Sequence, residues 1–133
     1  MNGRVAYLDS SAFVKLIVRE PESAALRAEL GRWPGRAAAT LLRTESVRSL
    51  RRSGNAHLVG AARHLLRTIR LIRLDEPLLD RAADLDPPTL RSLDAIHLAA
   101  AMALGPDLGA VFSYDARLLD AARSAGLPIT SPA

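Results

Sequence analysis

Short apolar runs alternate with amphipathic stretches along the whole chain. Val5–Leu8 is an uninterrupted apolar run of the length of a buried strand. Residues 10–18 then place Phe13, Leu16 and Ile17 at helical spacing. A second helix restarts at Glu20-Pro21-Glu22-Ser23, carries Leu26 and Leu30, and meets Gly31 as a C-terminal cap. Trp33-Pro34-Gly35 reads as a turn, and residues 37–39 as a strand on the strength of lying between two helices. Thr40 is placed to cap a helix running to Gly54, and Asn55 to cap another running to about Arg70. A short strand falls within 69–74. Pro77 stands in the first turn of a helix with Leu78, Leu79, Ala82, Ala83 and Leu85, and Asp86-Pro87-Pro88-Thr89 is a rigid loop. Ser92 opens a helix that Gly105-Pro106 stops. A strand at 109–112, a helix at 116–125 capped by Gly126, and a short strand at 127–130 complete the pattern.

Strands alternating with helices over short connections predict an α/β domain with a parallel sheet. In such folds ligands bind beyond the carboxyl ends of the strands. Asp9 and Asp115 lie at or just beyond two such ends, and Glu45 and Asp94 lie near the starts of helices that open on the same side. Four acids from separate parts of the chain therefore point to one edge of the sheet. Convergent carboxylates repel unless a cation joins them, so a divalent-metal site is the chemistry they suggest.

Each acid also has an ordinary use. Asp9 and Asp115 suit helix N-caps, Asp94 suits a first helical turn, and Glu45 could pair with Arg48 or Arg52 along one helix face. Asp94 is the hardest to dismiss. The stretch 95–106 that follows it contains no Asp, Glu, Lys or Arg, so the helix is apolar on every face and buried. A site of carboxylates and water fits Mg2+ or Mn2+ better than Zn2+, which a chain without cysteine supports poorly. Ser10, Ser11 and Ser113 lie beside the acids and could orient water or phosphate. His97 reads as a hydrogen-bonded core histidine rather than a ligand, and His57 and His64 as exposed.

Length and composition narrow the class. With 133 residues, about half of them apolar, one domain spanning 1–133 is expected, and a core large enough to need no disulfide. No apolar run reaches the roughly 20 residues of a membrane span, so a soluble cytoplasmic protein with no membrane partner is the expectation. The net charge of +4 is unevenly spread: residues 43–73 hold eight Arg against the single Glu45, whereas residues 74–133 hold four Arg against nine acids. A basic block beside an acidic one suits a polyanion, with Arg43, Arg48, Arg51 and Arg52 as candidate phosphate contacts. The aromatic residues are too few and scattered for a base-stacking platform. Phosphate-loop, dinucleotide and nucleophile-elbow motifs are missing from the sequence.

The segments Tyr7-Leu8-Asp9-Ser10-Ser11-Ala12, Thr44-Glu45 within 41–50, Leu93-Asp94-Ala95-Ile96-His97-Leu98-Ala99 and Ser113-Tyr114-Asp115-Ala116-Arg117-Leu118 resemble the PIN-domain signature, in order and spacing. More narrowly, they resemble the VapC toxins of bacterial type II toxin–antitoxin modules. The resemblance implies a three-layer α/β/α sandwich with a short, mainly parallel central sheet. It also implies a Mg2+- or Mn2+-dependent endoribonuclease with Asp9, Glu45, Asp94 and Asp115 as metal-binding acids and Ser113 beside them. Water activated on the cation would leave a 5′-phosphate and a 3′-hydroxyl. A VapB-type antitoxin and a homodimer are implied partners. The rival reading from another class is a non-catalytic RNA-binding regulator that uses the arginines of 43–73, and a nuclease for structured DNA is a weaker one.

Overall fold

The structure, a computed structural model, describes residues 2–133. Five strands, β1 (Val5–Leu8), β2 (Gly35–Ala39), β3 (Arg70–Ile72), β4 (Leu108–Phe112) and β5 (Ile129–Thr130), pair in parallel in the order β3-β2-β1-β4-β5. Among the described residues the connections hold α1 (Ser10–Ile17), α2 (Ser23–Leu30), α3 (Leu42–Arg52), α4 (Val59–Leu66), α5 (Glu76–Ala83), α6 (Ser92–Met102) and α7 (Ala116–Ser124).

The pleat of β1 divides the core in two. Ala6 and Leu8 point to one face, where Phe13, Leu26, Leu30, Leu42 and Leu50 bring α1, α2 and α3 onto the sheet. Val5 and Tyr7 point to the other, against Leu78 and Ala82 of α5 and Ala95 and Ala99 of α6. Alternate side chains of a strand leave opposite faces, so a run apolar at every position requires cover on both. The helix α7 joins the second face through Leu118 and Ala122, which meet Leu98 of α6. The result is the three-layer sandwich that the sequence led us to expect. After β1 the chain moves toward β2, and after β4 toward β5. The sheet's switch in direction thus lies between the carboxyl ends of β1 and β4, where a crevice forms.

Several boundaries differ from expectation. Strand β2 begins at Gly35, because Val5 pairs with it and extends the sheet into the supposed turn. Thr40 does not cap α3: its amide donates to the Ile72 carbonyl (3.0 Å), which prolongs the β2–β3 pairing, and α3 starts without a side-chain cap. Asn55 turns its amide to Ser53 instead of capping, a 3-10 turn precedes α4, and α4 ends at Leu66 so that β3 can begin at Arg70. Gly126, with φ +79°, closes α7 in the left-handed conformation that favours glycine.

Gly109 at the foot of β4 is fixed by contact. A Cβ there would overlap the Trp33 ring and lie 2.5 Å from the Gly3 carbonyl oxygen. The absence of a side chain lets Trp33 cross the strand and meet Phe112 edge-on, with ring centroids 5.3 Å apart.

Candidate active site

Asp9 ends β1 and starts α1. Its Oδ1 accepts from the Ala12 amide (2.9 Å) and the Ser11 hydroxyl (2.7 Å), so it is an N-cap, as its position in the chain suggested. Its Oδ2 accepts from the Ser113 hydroxyl at 2.6 Å. With two donors on Oδ1 and one on Oδ2, a single acceptor direction remains, on Oδ2. Burial pushes the Asp9 carboxyl above the usual carboxylate range, against the pull of the Ser113, Ala12 and Ser11 hydrogen bonds.

Ser113 is fully buried at the end of β4 and positions Asp9 and the turn that follows. Its Oγ also accepts from the Asp115 amide (3.0 Å), and its carbonyl accepts from the Ser131 hydroxyl (2.6 Å). Ser11 fastens the same turn by accepting from the Tyr114 amide at 2.8 Å. Ser10 borders the cavity, but the hydroxyl that reaches Asp9 from the start of α1 is that of Ser11.

Glu45 lies one turn into α3. Its partner is neither Arg48 nor Arg52 but His97, whose Nε2 stands 2.8 Å from Oε1. The other ring nitrogen, Nδ1, lies 2.7 Å from the Tyr7 hydroxyl. A carboxylate only accepts, so Nε2 carries a proton whatever the charge of the ring. Burial works to lower the His97 pKa, but the Glu45 hydrogen bond and the charges of Glu45, Asp9 and Asp94 outweigh it and raise it above the usual histidine value. Both nitrogens are engaged, which confirms the core-histidine reading and leaves none for a metal. Tyr7, His97 and Glu45 form a line from the core to the site, and among the described residues no hydrogen bond engages Glu45 Oε2.

Asp94 is 8% exposed in the first turn of α6, and no hydrogen bond among the described residues engages its carboxylate. Burial and then the charge of Asp115 raise its pKa, against Arg117, His97 and Arg91. Asp115 caps α7, its Oδ1 accepting from the Arg117 amide at 2.9 Å.

Asp9, Glu45, Asp94 and Asp115 line one cavity of about 260 Å3, with Ser10, His97, Arg91 and Arg117 around them. Among the described residues no three of these acids and histidines gather tightly enough to form a closed ion cluster unaided. The donor set nonetheless suits a hard cation. The cavity's donors are carboxylate and serine hydroxyl oxygens, it holds no cysteine, and it leaves room for the waters such ions keep. Arg43, Arg48, Arg51 and Arg52 are exposed on α3, and none lines this cavity.

Residues 6–124 match the PIN domain family. The chain belongs to that family. Its curated relatives are VapC proteins: this PIN domain is 48% identical over 126 residues to ribonuclease VapC46 of Mycobacterium tuberculosis, covering 95% of this chain and 96% of that protein. It is 42% identical over 130 residues to ribonuclease VapC47 of the same species, with the same coverage. A crystal structure of M. tuberculosis VapC20, described as a Sarcin-Ricin loop cleaving toxin, superposes with a TM-score of 0.76 over 96% of this chain and 99% of that one. At 16% identity that superposition speaks for the fold, and the closer sequences make this a VapC-type PIN domain.

Sequence reasoning missed three residues of the site, Tyr7, Arg91 and Arg117, and left open which of Ser10 and Ser11 meets Asp9. Tyr7 carried a signal, since a phenol in a strand buried on both faces needs a partner for its hydroxyl. Ser11 in place of Ser10 depends on helix phase, which the sequence leaves open by one residue. Arg91 and Arg117 flank Asp94 and Asp115 in sequence but lie outside the basic block that drew notice.

If His97 holds Glu45 in place, His97→Gln should lower ribonuclease activity about 10–100-fold, the scale for losing an orienting partner. Steady-state rates with a folded variant check this, and an unchanged rate would show that Glu45 needs no support.

Proposed function

We propose that this PIN domain is a divalent-cation-dependent endoribonuclease, the toxin of a pair whose other member is a VapB-type antitoxin. The names of its relatives support ribonuclease activity on RNA. The observation that carries the metal requirement is the cavity in which four carboxylates converge while Asp9 and Asp94 stay harder to ionise than ordinary acids. Four carboxylates outnumber the guanidiniums of Arg91 and Arg117 there, so a bound cation would offset the repulsion a polyanionic substrate meets.

Bound there, Mg2+ or Mn2+ supplies that charge and makes water acidic enough to act as a nucleophile at neutral pH. Asp9 offers its free Oδ2 position, fixed by Ser113 and Ser11. Glu45 offers Oε2, fixed through His97 and Tyr7. Asp94 and Asp115 offer oxygens from the starts of α6 and α7. A water oxygen bonds to phosphorus while the bond from phosphorus to the 3′-oxygen breaks, and that oxygen leaves with a proton. The products carry a 5′-phosphate and a 3′-hydroxyl. Arg43, Arg48, Arg51 and Arg52 form an outer basic surface on α3 for the RNA backbone, the antitoxin or a second copy in a homodimer. Sequencing RNA 5′ ends after induction tests the chemistry. Cut ends should ligate directly as 5′-phosphates, and 5′-hydroxyl ends would contradict hydrolysis by water. Growth arrest that survives Asp94→Asn but disappears on neutralising Arg48, Arg51 and Arg52 would favour a non-catalytic regulator.

The raised acids also set a stability prediction. Asp9 and Asp94 keep their protons in the folded chain at pH values where the unfolded chain has lost them. Their contribution is therefore most favourable below about pH 4 and declines as pH rises through their folded pKa values. Above that window Mg2+ should restore it, by about 2.7 kcal/mol at one hundred times its dissociation constant. Thermal melts at neutral pH check this, and a melting temperature indifferent to Mg2+ would contradict it.

A further inference from the structure

A second cavity, of about 250 Å3, adjoins the acidic one. Both are lined by Arg91, Asp94 and Arg117, so these three side chains form the wall between them. The far side is different in character. Pro87 and Leu90 from the loop before α6 and Ala121 from α7 give it an apolar wall, with Thr89, Ser124 and Asp120, whose carboxylate pairs with Arg123, also lining it. Its volume is below the roughly 300 Å3 at which pockets for drug-sized ligands begin, and suits one base with its ribose.

Among the described residues neither Arg91 nor Arg117 makes a side-chain hydrogen bond, and their charges reach Asp94 without pairing with it. Both are exposed, they come from different elements, and neither forms an ion pair among the described residues. No nearby acid holds either guanidinium in an ion pair: Asp94 feels both charges at longer range, Asp115 Oδ1 accepts from the Arg117 amide, and Asp120 pairs with Arg123 at 3.6 Å. Two guanidinium groups without an ion pair, between an acid-lined cavity and one with an apolar wall, suit a phosphate that links a nucleotide in each.

We propose that Arg91 and Arg117 clamp the RNA phosphate next to the scissile one, and that the cavity beyond them receives the adjoining nucleotide. This rests on the ribonuclease reading and gives it a positioning pair and a subsite. Arginines that only balanced the acids would change stability and leave the response of RNA binding to salt untouched. A phosphate clamp makes that response measurable, because each contact to single-stranded RNA contributes about 0.7 to the slope of log affinity against log salt.

The test uses the intact protein, total cellular RNA as substrate, and Mg2+. Initial rates are measured against RNA concentration at several salt concentrations for wild type, Arg91→Gln, Arg117→Gln, the double variant, Arg91→Lys, and the cavity-filling Thr89→Trp and Ser124→Trp. Each Gln variant should raise KM at least tenfold, with the loss falling on KM more than on kcat, and should flatten the salt dependence of KM by about 0.7 per lost contact. Arg91→Lys should recover the salt slope but only part of the affinity, since a lysine keeps the charge and not the fork. At least one cavity-filling variant should raise KM while the Mg2+-induced rise in melting temperature stays. An unchanged KM and salt slope in the double variant would overturn the clamp, and wild-type KM in both Trp variants would overturn the subsite. A wild-type protein that cleaves no RNA at all would instead remove the ribonuclease reading itself.

Discussion

Asp9→Asn is expected to lower RNA cleavage by at least about 100-fold, the scale of loss when one preorganised charged or polar group is removed from an active site. The fold should survive. Asparagine is as good an N-cap as aspartate, its Oδ1 can accept from the Ala12 amide and the Ser11 hydroxyl, and the Ser113 hydroxyl can rotate to accept from the new amide. Burial outweighs the hydrogen bonds that favour the Asp9 charge, so removing that charge takes no net favourable term from the folded state. Asp94→Asn makes the same case more cleanly. Among the described residues its carboxylate makes no hydrogen bond to lose, and the change relieves its repulsion with Asp115. Initial rates set beside melting temperatures separate loss of chemistry from loss of fold. Cleavage at the wild-type rate by either variant would remove that acid from the site.

Gly109→Ala is expected to destabilise the protein by about 1–3 kcal/mol or more, as overpacking of a filled core does. For a chain of this size a loss of about 1–3 kcal/mol lowers the melting temperature by about 4–11 °C. The strain has no easy outlet. Gly3 and Arg4 are tied to the turn before β4 by hydrogen bonds to Pro106 (2.7 Å) and Asp107 (3.1 Å), so the Gly3 carbonyl cannot withdraw freely. Trp33 would have to leave its edge contact with Phe112 and its 3.1 Å hydrogen bond to Glu29. Gly109 stands at the end of β4 away from Ser113, so cleavage at low temperature should persist. A melting temperature equal to that of wild type would mean that Trp33 is not held where the structure has it.

How far the sequence could be read depends on the range of the interaction involved. Val5–Leu8 announced a strand covered on both faces because the pleat dictates cover for every position of an apolar run. The uncharged stretch after Asp94 announced a buried helix for the same reason, and the motifs that resembled PIN domains named the family and fold to which the chain belongs. Local rules failed where distant partners overrode them. Thr40 has the side chain of a cap, but its amide is claimed by Ile72, a partner 32 positions away. Glu45 has arginines at helical spacing, yet its partner is His97, brought from α6 across the sheet's edge. Ser10 and Ser11 are indistinguishable as text, and only the phase of α1 decides which meets Asp9. Arg91 and Arg117 were hidden by composition: the eight arginines of residues 43–73 drew attention to a surface, while the two at the acids lie in the acidic segment 74–133.

The central claim, that the four acids form a cation site for RNA hydrolysis, is tested most directly by one assay. Purified wild type and Asp94→Asn are incubated with RNA in Mg2+, in EDTA, and in EDTA followed by excess Mg2+ or Mn2+. The account predicts cleavage by wild type in Mg2+, none in EDTA, recovery on returning either cation, and no comparable recovery for Asp94→Asn. Cleavage by wild type that proceeds unchanged in EDTA, or an Asp94→Asn protein as active as wild type, would contradict it.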